Sequence, residues 1–316
     1  MAAIQGGMTI VVTLGSGTIL RPGQRGSAAE QAENLEATGR QLAQLVAAGH
    51  RLVVTHGNGP QVGNIVLQNE EARALAPPMP LDVCGAESQG QIGLLIQNTL
   101  DTALYRAGIR RPVVCLLTRV LVDPADPAFH APTKVVGPVY SAAKASELTR
   151  RGYVLQRDAR GWRHVVPSPE PRTVCESPQV KSLLDAGCVV IAAGGGGVPV
   201  VRAPDGRVRG VEAVVEKDLA ASLLAVEIAA DMLVFLTGVP HVIARWGQDG
   251  ETGLRRLTVA EARGLVASGD LPYGSIGVKV EAAARFAERR QRPALITDLS
   301  TLGRALAGEG GTVIEP

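Results

Sequence analysis

Three glycine-rich loops and three lysines hold most of the chemistry open to this chain of 316 residues. The loops are Gly15-Ser16-Gly17-Thr18, His56-Gly57-Asn58-Gly59-Pro60 and Gly194-Gly195-Gly196-Gly197, each following a short apolar run. Glycine lets backbone N–H groups approach an anion closely, and a following helix adds the positive end of its dipole. One such loop would be no more than a tight turn. Three of them, with neither a Rossmann GxGxxG nor a Walker GxxxxGK[ST], point to a phosphate-rich site outside the dinucleotide and P-loop folds. The lysines are Lys134 in PTKVVGP, Lys217 in VVEKDL and Lys279 in GSIGVK. Arginine far outnumbers lysine in the chain, so lysines in such loops stand out. A transferring phosphoryl group spreads negative charge over three oxygens, and compact ammonium groups can clamp it. Taken singly, each lysine also reads as a solvated surface charge.

Positioning such loops is the work of an open α/β sheet, where ligands sit outside the carboxyl ends of the strands. The runs Thr9–Leu14, Leu52–Thr55, Pro112–Leu117, Cys188–Ala192, Met232–Leu236 and Ala294–Thr297 read as buried strands bounded by Gly or Pro. Helical patterns cover Ala28–Ala48, Gln89–Ala107, Pro178–Ala186, Leu219–Ala229, Val259–Ala267 and Lys279–Arg290. Ser27 with Glu30 predicts a capped start for the first helix, and Gly49 its stop. This order predicts an α/β fold with a largely parallel central sheet. Asp123–Pro171 is polar, proline-punctuated and too long for a plain connection, so it reads as an inserted subdomain or lid. Val198–Val215 reads as a hairpin turning at Asp205-Gly206.

Composition narrows the class. With 46% hydrophobic residues and a net charge of +2, the chain can bury a large core and is not disordered. Aromatics are only 3%, which leaves Ala, Val, Leu and Ile to fill that core. Thirty-two Lys+Arg against thirty Asp+Glu leave no basic tract, which speaks against nucleic acid as a partner. No run reaches the ~18 apolar residues of a membrane helix. The opening MAAIQGGM runs straight into TIVVTL without the pattern of a signal peptide. Cys84, Cys115, Cys175 and Cys188 form no CxxC and read as small buried hydrophobes in a reducing compartment. A cytoplasmic enzyme is the expectation.

The chain resembles the carbamate kinases of the amino-acid-kinase superfamily. The matching stretches are THGNGPQVGN (Thr55–Asn64), PLDVCGAESQGQIG (Pro80–Gly93), TRVLVDPADPAF (Thr118–Phe129), PTKVVGPVY (Pro132–Tyr140), VVPSPEP (Val165–Pro171), IAAGGGGVPVV (Ile191–Val201), GVEAVVEKDLA (Gly210–Ala220) and GSIGVKVEAA (Gly274–Ala283). They span nearly the whole chain in the family's order. The resemblance implies a three-layer αβα sandwich with a small protruding lid over 123–171 and a homodimer. It implies an acceptor site in the N-terminal half and a nucleotide site over about 188–316. The implied reaction is phosphoryl transfer between ATP and carbamate, with Mg²⁺ accompanying ATP or ADP. Matched by motif, Gly15, Ser16, Gly17, Gly57, Asn58 and Gly59 would line the anionic acceptor. Lys134 would reach its phosphate from the lid, Lys217 and Lys279 would stabilise the transferring group, and Asp218 would hold the lysines. The nucleotide would lie against Gly195, Gly196, Glu216, Thr237, Gly238, Val239, Ser275 and Gly277. No dedicated metal cage of protein side chains is expected.

Four stretches depart from the family's pattern. Gly15-Ser16-Gly17 stands for Gly-Gly-Asn and loses a side-chain amide donor. Gly238 replaces an Asp, Val278 replaces a Pro, and Glu216 replaces an Asp. Three readings stay open: carbamate kinase, a related kinase for another small carboxylate, carbamate or phosphonate, and a non-catalytic ligand-binding homologue. Other motifs point to structural roles. His56 reads as a strand residue rather than a general base, and the remaining histidines lack metal-ligand spacing. Ser88 reads as a helix N-cap, and Trp162 and Trp246 as lid or loop packing.

Overall fold

A computed structural model describes residues 7–245, 252–271 and 275–316, with the side chain of Ser275 outside the described set. From the N-terminal end, β1 (Thr9–Leu14) passes through the single turn α1 (Ser16–Ile19) into α2 (Ala28–Ala47). Then β2 (Arg51–His56) leads into α3 (Gly59–Glu71), followed by the long helix α4 (Leu81–Arg106), β3 (Val113–Cys115) and β4 (Arg119–Val122). A separate small unit follows, built from β5 (Lys134–Tyr140), α5 (Ala142–Arg150), β6 (Leu155–Asp158) and β7 (Gly161–Val166). The chain returns through β8 (Pro171–Val174), α6 (Ser177–Asp185), β9 (Val189–Ile191) and the hairpin β10 (Val198–Arg202) to β11 (Val208–Gly210). The last third holds α7 (Lys217–Glu227), β12 (Met232–Leu236), β13 (Val242–Ala244), β14 (Thr252–Leu254) and β15 (Arg256–Thr258). It closes with α8 (Val259–Ser268), α9 (Ser275–Arg290), β16 (Ala294–Thr297), α10 (Leu302–Leu306) and β17 (Thr312–Glu315).

The central sheet has the order β15-β17-β16-β12-β1-β2-β9-β3, parallel throughout except for the β16–β17 pair. Successive side chains of a strand point to opposite faces. Val11, Val53, Val190, Leu233 and Phe235 accordingly pack with α7 and α9 on one face. Ile10, Val12, Leu52, Val54 and Val234 pack with α2 and α4 on the other. Both faces are covered, so the strands read as unbroken apolar runs and the layers are α, β, α. Besides this sandwich there is a second sheet, β11-β10-β4-β8, and the antiparallel sheet β5-β7-β6 with α5 forms a separate small unit. No helix among the described residues is long and apolar enough to cross a membrane.

Some elements differ from the sequence-based expectation. The helix expected from Gln89 begins at Leu81, because close packing overrides the poor propensity of Gly85, Gly90 and Gly93. A Cβ on Gly93 would lie 2.2 Å from Cys115 Sγ, so only glycine lets α4 come this near the sheet. Ser88 is therefore not an N-cap. It lies two turns inside α4, fully buried. α3 escaped the periodicity reading altogether, and Lys279 sits one turn inside α9 rather than at its start. Ser27 and Glu30 do form a capping box, and Gly49 takes φ +87° at the helix stop.

Candidate active site

The order of the sheet places β1 where the chain switches direction, with β2 on one side and the late strand β12 on the other. Ligands in open α/β sheets bind at such a point, beyond the carboxyl ends of the strands. There the loops after β1, β2, β9 and β12 meet the start of α7 and the start of β5 around a cavity of about 500 Å³. Gly15, Ser16, Gly17, Gly57, Asn58, Gly59, Gly195, Glu216, Lys217, Asp218, Thr237, Gly238, Lys134 and Lys279 all line it. Gly196, Val239 and Gly277 are not part of that lining. The Ser275 side chain, Gly274 and Trp246 lie outside the described residues.

Close approach explains the glycines. A Cβ on Gly57 would lie 2.7 Å from Ser16 Oγ and 3.2 Å from Lys217 Cε, so the first two loops and Lys217 converge on that point. Gly195, at φ +65°, leaves room for the Asn58 amide, which would otherwise lie 2.1 Å from a Cβ. Gly17 faces open space. Asn58 Nδ2 donates to Ser88 Oγ at 2.8 Å, and Ser88 Oγ donates to the Gly85 carbonyl at 2.6 Å. Ser88 thus fixes the second loop from below. The spacing Cys84, Ser88, Ile92 could have shown this, because a hydroxyl on an apolar helical stripe needs a buried partner.

The charged centre is Asp218, which is 2% exposed in the first turn of α7. Its Oδ1 accepts from Lys217 Nζ at 2.7 Å and its Oδ2 from Lys279 Nζ at 3.1 Å. Burial pushes the Asp218 carboxyl up, but the Lys217 and Lys279 ammonium groups outweigh it and hold the group below the usual carboxylate range. Lys279, 7% exposed, is pushed down by burial and by neighbouring Lys217, with Asp218 opposing. Across the cavity Lys134, first residue of β5, pairs with Glu216, which caps α7. Three lysines thus face two carboxylates here, an excess positive charge in a partly dry cleft that suits an anion. Among the described residues, no three His, Cys, Asp or Glu side chains converge as a metal cage.

His56 supports the loops and does not face the reaction. It is fully buried at the end of β2, where a Cβ on Gly194 would lie 2.3 Å from its Nε2, and its Nδ1 meets the Gly57 carbonyl at 3.2 Å. Burial lowers its pKa to about 4. The unfolded chain therefore takes up a proton at His56 below the ordinary value of 6.5 while the native state does not. Stability contributed by the neutral ring falls as pH drops from 6.5 to 4, by about 3 kcal/mol. Burial lowers His50 and His164 too, with the same sign. Urea unfolding between pH 7 and 5 should show about 2 kcal/mol of this loss, and His56→Gln should remove the largest part of the slope. An unchanged slope would contradict the burial account.

Comparison with known proteins agrees with this geometry. The profile of the amino acid kinase family matches residues 8–298. The carbamate kinase of Pyrococcus horikoshii is 43% identical over 97% of this chain and 99% of its own. That of Trichomonas vaginalis is 44% identical over 98% of this chain and 100% of its own. The structure of carbamate kinase from Giardia lamblia bound to AMP-PNP aligns with a TM-score of 0.92 at 39% identity, covering 99% of both chains. Both the sheet order around the cavity and near-full-length identity lead to one conclusion: the chain belongs to the amino acid kinase family, among its carbamate kinases.

Proposed function

We propose that this chain transfers a phosphoryl group reversibly between ATP and carbamate, giving ADP and carbamoyl phosphate. One observation carries the proposal: Lys134, Lys217 and Lys279 converge on a single glycine-lined cavity, two of them held by Asp218. The acceptor would lie against the first two loops and under Lys134, and the nucleotide against the loops after β9 and β12. Lys217 and Lys279 would then flank the group in flight. Their ammonium charges stabilise an in-line transfer whose equatorial oxygens carry the developing charge. No side chain has to act as a base, because carbamate is already an anion at neutral pH.

Mg²⁺ fits this site as a companion of the nucleotide rather than of the protein. The carboxylates of Asp218 and Glu216 are engaged by lysines, so the ion would be held mainly by phosphate oxygens. When bound, it would neutralise charge on the nucleotide phosphates. We further propose a cytoplasmic homodimer acting on ATP or ADP and a small anion, with neither nucleic acid nor membrane as partner.

Purified protein given carbamoyl phosphate and MgADP should form ATP. Open space at Gly17 favours a second reading, in which the acceptor is a larger carboxylate, carbamate or phosphonate. ADP release from MgATP across a panel of such acceptors separates the two.

A further inference from the structure

Lys134 stands at the near end of the lid, yet a strong polar attachment of the lid lies two helical turns away. Glu70, in the last turn of α3, has a side chain only 4% exposed. It accepts from Arg73 in the turn just after α3, at 3.1 Å from Nε and 2.5 Å from Nη2. It also accepts from Arg151 Nη1 at 3.0 Å and from the Tyr153 hydroxyl, both in the connection between α5 and β6. Burial pushes the Glu70 carboxyl up, but hydrogen bonds from Arg73, Tyr153 and Arg151 outweigh this and hold it at about 2. His164 of β7 meets the Tyr153 ring edge-on, with centroids 4.9 Å apart.

Seven residues earlier, on the same face of α3, the contact with the lid has a different character. Gly63 meets Gly137 of β5 backbone to backbone, and a Cβ on Gly63 would lie 2.5 Å from Gly137 Cα. Gly137 takes φ +79°, where the pairing of β5 with β7 shifts register. Lys134 is three residues from this crossing and lines the cavity. Between this crossing and the charged latch, about 10 Å apart along the helix, Val62, Ile65 and Val66 of α3 pack with Val136 and Val166, and Lys144 of α5 pairs with Glu71 at 3.1 Å beside the latch. Beside the latch lies a cavity of about 300 Å³ bordered by Val66, Leu81, Tyr153 and His164, so apolar packing alone does not hold that end.

We propose that Glu70 is a positioning residue for the reaction. By holding Arg151 and Tyr153 it fixes the tilt of the lid about the Gly63–Gly137 crossing, and so sets where the Lys134 ammonium stands. Release of the latch lets the lid turn about the crossing and carries Lys134 away from Glu216 and from the acceptor phosphate. The kinetic consequence rests on the acceptor site proposed above, while the lid consequence does not.

The test uses Glu70→Gln, which keeps the shape and removes the charge, and Tyr153→Phe, which removes one hydrogen bond with little risk to folding. Hydrogen–deuterium exchange of the free protein reads the lid without reference to any reaction. Exchange over 134–166 should rise in both variants, about tenfold in Glu70→Gln, while β1, β2 and β12 keep wild-type protection. Steady-state kinetics reads Lys134. KM for carbamoyl phosphate should rise about fivefold or more in Glu70→Gln with KM for MgADP unchanged, and Lys134→Ala should add little to it. Unchanged lid exchange in both variants overturns the proposal. So does a rise spread evenly over the chain, or a Lys134→Ala effect that multiplies undiminished on top of Glu70→Gln. A wild type that makes no ATP from carbamoyl phosphate sinks the proposed reaction instead, and the exchange result alone then decides the latch.

Discussion

Asp218→Asn should lower kcat by roughly 10³-fold while leaving nucleotide binding measurable. The carboxylate is the shared acceptor for Lys217 and Lys279, and both hydrogen bonds run to separate oxygens. An amide of the same shape can accept at one oxygen only and offers an N–H₂ to the other lysine. Two ammonium groups then face each other in a buried site with the carboxylate between them gone and Glu216 the remaining nearby acid. Lys279, already lowered by burial and by Lys217, falls further because Asp218 supplies most of what raises it, with Glu216 adding the rest. The alkaline limb of the rate profile should move to lower pH in the variant, since clamping needs the protonated lysine. Removing one partner from a buried ion pair also costs about 3–5 kcal/mol of stability. The pH profile separates the two effects, because loss of fold alone would scale the rate without moving the limb.

Gly196→Ala is expected to be nearly as damaging, although Gly196 is not in the cavity wall. It adopts φ +95°, and an added Cβ would lie 2.3 Å from the Val215 carbonyl oxygen and 3.3 Å from Lys217 N. Those are backbone atoms and cannot swing aside. The segment Val215-Glu216-Lys217 must shift, and a displacement near 1 Å in a catalytic group costs about 10²-fold in rate. Backbone strain of this kind lowers stability by about 1–3 kcal/mol before the clash is added. Gly206→Ala is the control: φ is +86° but no atom lies within 4 Å. Thermal melts and kcat should show a modest melt shift with full activity for Gly206→Ala, and loss of both for Gly196→Ala. Equal behaviour of the two would remove the packing role assigned to the loop after β9.

Strands buried on both faces were legible from sequence because nothing but their own run of apolar residues defines them. β1, β12 and β16 coincide with Thr9–Leu14, Met232–Leu236 and Ala294–Thr297 to the residue. Local signals also held, such as the Ser27–Glu30 box and the turn at Asp205-Gly206 between β10 and β11. What failed were elements whose reason lies elsewhere in the chain. α3 starts on Gly59 and Pro60, and α4 carries Gly85, Gly90 and Gly93, of which only Gly93 answers to a close neighbour, so propensity undersold both. The glycine loops and the lysines could be found because strand ends and scarce lysines mark themselves. Partnerships could not be found that way. Asn58 with Ser88, Gly194 with His56 and Glu70 with Tyr153 join residues 30, 138 and 83 positions apart, and no local pattern encodes such contacts.

The central claim is that the lysines gathered by Asp218 transfer a phosphoryl group. ATP formation from carbamoyl phosphate and MgADP, compared between the wild type and Lys217→Ala, tests it most directly. Lys217 begins α7 with its ammonium on Asp218, so its removal takes charge from the site while Lys279 still pairs with the Asp218 carboxylate. The expected result is steady turnover by the wild type and a loss of roughly 10³-fold or more in the variant, with MgADP affinity within about tenfold. Unchanged turnover in Lys217→Ala would contradict the clamp, and with it the catalytic site described here.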